Sequence, residues 1–162
     1  MTDMTSTSKP PIKIYTSYFY KMRFFNETYL PVSTAVWDPK WFHDGKGSSY
    51  SFKKNGVWHG LRTKELQPGP TCEGLCYGPH GCPHTSPDCP FLKAYRAQLD
   101  ALDFHDFMRR MEQTARKFQK MEGLAEPPSI VLLVYEAPTN LCSERGPLQQ
   151  WFKDNGVDIQ EF

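Results

Sequence analysis

No stretch of this chain stays apolar for the ~20 consecutive residues that a helical bilayer crossing requires, and neither sign of charge prevails. Nineteen basic side chains stand against 18 acidic ones, a net charge of +1, so no global field draws the protein to nucleic acid or to a membrane surface. The first residues are polar rather than signal-like, and no internal repeat recurs. A cytoplasmic protein without membrane partners is expected. With 162 residues there is room for one domain with a sizeable core and not for two complete ones. Proline, by contrast, is plentiful at 14 residues and aromatic side chains make up 14%, which points to long, structured loops instead of an idealised helical bundle.

The stretch from Ser129 to Phe162 organises the rest. Ile130-Val131-Leu132-Leu133-Val134-Tyr135 is an unbroken apolar run rich in β-branched residues, the pattern of a strand buried on both faces at the centre of a parallel sheet. Pro127-Pro128 punctuates it upstream, and Pro138 with Asn140 opens a loop downstream. A helix is predicted next, with Pro147 at its first position, Leu148, Trp151 and Phe152 on one face, and Asn155-Gly156 as its stop. Val157 to Phe162 then alternates like a half-buried strand. Strand, loop, helix and strand make a crossover, so the two strands are expected to run parallel. Ligands of such sheets gather beyond the carboxyl ends of the strands, which is where Glu136 to Gly146 would lie.

Residues 1–10 carry little to bury and read as a disordered tail, and residues 11–162 as a single α/β domain. Pro11 to Phe19 is the candidate first strand and the expected parallel neighbour of the 130–135 run. Tyr29 to Val36 is the candidate second strand, residues 37–42 a turn, and Gly45 to Gly56 a polar connection. From Phe91 to Glu122 the pattern turns helical: Phe91, Tyr95, Leu99 and Leu102 form a stripe, and Asp103 can cap a second helix burying Phe107, Met111, Ala115 and Phe118. The expected architecture has three layers around a mainly parallel sheet.

Five cysteines remain to be placed. Four lie between Cys72 and Cys89, interleaved with His80 and His84, and Cys142 stands alone. The Cys/His-rich insertion at 69–90 is dominated by Gly, Pro, Cys and His and cannot build an apolar core, so something else must order it. Close-set thiolates suit a tetrahedral zinc ion. Cys72, Cys76, Cys82 and Cys89 form the simplest ligand set, with His80 or His84 as alternates. The spacing is not that of a paired zinc ribbon; an iron–sulfur cluster is the competing metal, and unpaired thiols are the plain alternative. A closed set of four ligands leaves no open position, so the metal's task would be to fold the insertion.

The loop Glu136 to Gly146 places Arg145 just before the predicted helix, whose free N–H groups attract anions, so a phosphate or carboxylate clamp is one reading. A surface arginine pairing with Glu144 or Glu136 is the other. The run Val131 to Pro138, followed by Arg145, Trp151-Phe152 and Gly156-Val157, resembles the end of the family catalogued as domain of unknown function 488. Ile14 to Phe19, Val32-Ser33-Thr34 and Pro39-Lys40-Trp41-Phe42 resemble its first strand, next strand and turn. The likeness covers both ends of the chain and not the cysteine insertion. It implies a small Rossmann-like α/β domain, with associations with nucleotides, nucleic-acid modification and mobile elements such as phage. Ser143-Glu144-Arg145 occupies the position of that family's Cys-His-Arg triplet, or else Cys142 is the displaced cysteine; Glu136 and Arg145 carry over, and a Cys/His nucleophile does not.

Two functions follow as expectations. The first is a nucleotide- or nucleic-acid-directed enzyme, with Glu136 and Arg145 as catalytic residues and Thr16, Ser17, Tyr18, Lys40 and Ser143 binding the ligand. The second is a non-catalytic, zinc-stabilised module for nucleic acid or a protein partner, stacking bases on Trp37, Trp41, Trp58 and Tyr77 with charge from Lys53, Lys54, Arg62 and Lys64. Core packing and a solvated face are the plain alternatives for those side chains.

Overall fold

The computed structural model describes residues 12–39, 42, 53–54, 57–58, 61–70, 89–139 and 143–162. Along the chain come β1 (Ile14–Tyr18), β2 (Tyr29–Ser33), the two-residue strands β3 (Lys53–Lys54) and β4 (Val57–Trp58), and β5 (Leu61–Arg62). Helices α1 (Pro90–Asp100) and α2 (Phe104–Glu122), strand β6 (Ser129–Val134), helix α3 (Arg145–Asp154) and strand β7 (Gln160–Glu161) follow. β3 and β4 pair with each other; the other five strands form one sheet in the order β5-β2-β6-β1-β7, with every neighbouring pair parallel. The chain is therefore an α/β protein. Among the described residues no helix is long and apolar enough to cross a membrane.

β6 holds the centre, as its apolar run predicts. Ile14 lies beside Ile130 and Tyr18 beside Val134 on one side, and Leu30 lies beside Ile130 on the other. The crossover through α3 does return a parallel strand, but β7 pairs with β1, setting Thr16 beside Glu161. It steps over β1 because both edges of β6 are already taken.

Alternation along the strands sorts the core into two clusters. Ile130 and Leu132, with Ile14, Leu30 and Val32, face Tyr95 and Leu99 of α1, Phe107, Met111, Ala115 and Phe118 of α2, and Leu148, Trp151 and Phe152 of α3. Val131 and Leu133 face the opposite way, onto Phe19, Met22, Phe25, Ala35 and Phe42. Three layers result, but they are unequal. Among the described residues all three α-helices cover one face, and a 3-10 segment, Phe19–Phe24, covers the other.

Local signals set the ends of the elements. Asp103 caps α2, its carboxylate accepting the Asp106 N–H at 3.0 Å. α3 begins two residues earlier than Pro147 suggests, at Arg145, whose N–H donates to Ser143 Oγ at 3.2 Å. Pro147 sits in the first turn, where its missing N–H has no helical partner to lose. The helix stops at Asn155, and Gly156 takes φ 88°, a left-handed conformation that side chains resist. β2 is shorter than expected: Thr34 still bonds Leu133 O through its N–H, then Ser33 Oγ accepts the Ala35 N–H and turns the chain away, leaving Val36 outside the strand. Strand β5 had no counterpart among the expected elements.

Candidate active site at the carboxyl edge of the sheet

Parallel strands end on one side of the sheet, and the side chains gathered there are unusually polar. β1 delivers Thr16 and Tyr18, β6 runs on into Tyr135 and Glu136, β7 ends at Glu161, and Ser143-Glu144-Arg145 leads into α3. Arg145 is at the centre. Its Nε donates to Glu161 Oε1 at 2.8 Å and its Nη2 to the Glu136 carbonyl at 2.6 Å, and the Tyr18 ring centroid lies 5.8 Å from its Cζ. Glu161 Oε1 also accepts from Thr16 Oγ1 at 2.7 Å and from Gln149 Nε2 at 3.3 Å, while Gln149 donates to Thr16 Oγ1 at 2.6 Å. The network ties β1, β7, α3 and the loop after β6 into one unit.

Glu144 is 7% exposed. Burial, and after it the neighbouring charge of Glu136, push its carboxyl up to about 8, against the weaker opposing pull of its backbone hydrogen bond, the Thr34 hydroxyl and Arg145. It is therefore protonated at neutral pH. Around the arginine, among the described residues, three buried atoms lack any partner: Glu136 Oε1, Arg145 Nη1 and Glu161 Oε2. Buried polar atoms ordinarily find partners, so a bare set beside a protonated carboxyl has the character of a binding and proton-transfer site.

The structure brings Thr16, Tyr18, Glu136, Ser143 and Arg145 together. It separates Ser17, whose side chain points to the opposite face of the sheet with Tyr15, where alternation must put it. Arg145 is neither a surface residue nor a partner of the Glu144 or Glu136 carboxylate; it is buried and paired with Glu161. Lys40, Cys72, Cys76, His80, Cys82, His84 and Cys142 lie outside the described residues. Cys89 is buried, forms no disulfide, and its carbonyl accepts the Lys93 N–H at 3.0 Å as α1 begins. Among the described residues no three His, Cys, Asp or Glu side chains are placed to hold a metal ion. Of the aromatic candidates Trp37 is 78% exposed, Trp41 and Tyr77 lie outside the described residues, and Trp58 forms part of β4.

Sequence reasoning missed Glu161, Gln149 and the protonation of Glu144. Glu161 had a signal: the alternation Val157, Ile159, Glu161 puts a carboxylate where the pattern calls for an apolar side chain. Gln149 lies four residues after Arg145, on the same helical face. In comparisons with protein-family models, curated proteins and solved structures, nothing matched this chain.

Proposed function

We propose that the chain is an enzyme directed at a nucleotide or nucleic acid, working by general acid–base chemistry at the carboxyl edge of its sheet. One observation carries the reading: Glu144, protonated and buried, sits beside a second carboxyl, Glu136, and a guanidinium with a bare nitrogen. Two carboxyl groups in unlike surroundings can divide the roles of acid and base. Glu136 would take a proton or orient the reacting group, Glu144 would return a proton, and Arg145 would hold the ligand. The nucleotide part is supported by the site's place beyond the strand ends, by exposed Tyr135 directly before Glu136, and by the resemblance of the two ends of the chain to domain of unknown function 488. The test is turnover of a panel of nucleotides and short DNA and RNA strands, followed by chromatography of products. Glu136→Gln should lower kcat by ~100-fold or more, the usual scale of one acid–base group. Tight binding with no product from any substrate would favour the non-catalytic module, for which highly exposed Trp37 is the supporting feature.

The insertion at 69–90 is proposed to be folded by one zinc ion on Cys72, Cys76, Cys82 and Cys89. Buried Cys89 at the start of α1 supports this, since it would anchor the site to the core. Elemental analysis of fresh protein should give about one zinc per chain, a binding energy of ~10–16 kcal/mol being ample to order such a loop. A brown protein would transfer the site to iron–sulfur chemistry, and metal-free protein would remove it.

A further inference from the structure

We infer that the carboxyl groups around Arg145 receive the N–H edge of a guanine-type ligand, a planar group with adjacent ring N–H and exocyclic amino donors beside an acceptor, and not a phosphate. The inference rests on the nucleotide reading above and narrows its ligand. Arg145 is 7% exposed, and two of its three nitrogens are already engaged, Nε on Glu161 and Nη2 on the Glu136 carbonyl. Nη1 alone is left, buried and, among the described residues, without a partner. Glu161 is equally lopsided: Oε1 accepts from Thr16, Arg145 and Gln149, while buried Oε2 accepts from none of the described residues. Glu136 Oε1 is bare as well. The three bare atoms are two carboxyl acceptors and one guanidinium donor.

That inventory is wrong for a phosphate. A phosphate would set acceptors against acceptors and bring negative charge beside two acidic side chains balanced by one basic one. It fits a guanine-type edge, whose ring N–H and amino group donate to carboxylates while its carbonyl accepts from an arginine. Aromatic rings border the site: the Tyr18 ring lies 5.8 Å from the Arg145 Cζ, Tyr20 stacks on Tyr18 with ring centroids 6.1 Å apart, and the Arg23 guanidinium lies 3.8 Å from the Tyr20 ring centroid.

The test is calorimetric titration of the full chain with guanosine, with inosine, which lacks the amino group, and with inorganic phosphate. Guanosine should bind, inosine should bind roughly tenfold or more weakly, as for one lost hydrogen bond to a charged group, and phosphate should release no heat. Glu136→Gln should erase the preference for guanosine; its thermal unfolding, recorded alongside, separates a lost contact from a lost fold, and the wild-type comparison decides the question even where the variant fails to fold. Equal affinity for guanosine and inosine, or binding of phosphate alone, overturns the inference and leaves the nucleotide reading in place. Absence of binding by every nucleoside, nucleotide and short nucleic acid overturns both.

Discussion

Glutamine in place of Glu144 should change how the stability of this protein depends on pH. The folded chain holds the Glu144 proton up to about pH 8, whereas an unfolded chain releases it near the ordinary value of 4.5. Between those limits the native state binds one proton more than the unfolded state, so stability falls as pH rises, by about 1.4 kcal/mol per pH unit. Below the window both states are protonated and the group makes no difference; above it both are ionised and the full penalty stands. Glu144→Gln keeps the volume and has no proton to lose. Urea unfolding of wild type and variant from pH ~5 to ~9 should therefore show a gap in favour of the variant that widens to several kcal/mol and then levels off. Because Glu136 is the second cause of the shift after burial, Glu136→Gln should close the window from its upper end. Parallel curves for wild type and Glu144→Gln would refute the reasoning, since they would mean that the carboxyl titrates alike in both states.

Two further outcomes bear on the fold. Arg145→Lys should lose ~2–4 kcal/mol, somewhat less than the ~3–5 kcal/mol for breaking a buried pair, because Thr16 and Gln149 still donate to Glu161. A double-mutant cycle with Glu161→Gln should give a coupling above ~1 kcal/mol, and additive effects would show that the pair does not support the fold. Leu132→Ala, at a fully buried position of β6, should cost ~2–5 kcal/mol by chemical denaturation, whereas Met121→Ala, half exposed late in α2, should stay within ~0.5 kcal/mol. Similar losses at the two positions would count against a sheet centred on β6.

The large elements were legible because their physics is local. An uninterrupted run from Ile130 to Val134 can be hidden only between two covered faces, and the stripes through Tyr95, Leu99, Phe107 and Phe118 suit only helices resting on that sheet. The ends of α2 and α3 followed from Asp103 and Gly156 for the same reason. Contacts made across the fold were harder to read. Arg145 was read either as an anion clamp or as a surface partner of Glu144 or Glu136, and its burial against Glu161 went unread because no local rule says that β7 lies beside β1 and brings Glu161 within reach. Ser17 was grouped with Thr16 and Tyr18 although period-two alternation already divides them. The state of Glu144 depends on its burial and on Glu136, and burial at a loop-to-helix junction leaves no periodic trace in the chain.

The place of β6 has a consequence for how the chain acquires its structure. β1 and β2 occur early in the sequence, yet they touch each other nowhere along the sheet; each pairs with β6, which sits between them. Until β6 is available both strands have an unpaired inner edge, and pairing Ile14 with Ile130 closes a loop holding most of the chain. The barrier to folding should then be the entropy of that closure, with slow refolding and sensitivity to substitutions in β6 in the rate of folding itself. On a ribosome the same arrangement obliges the first strands to wait, with their edges exposed to other chains, for the segment that completes them.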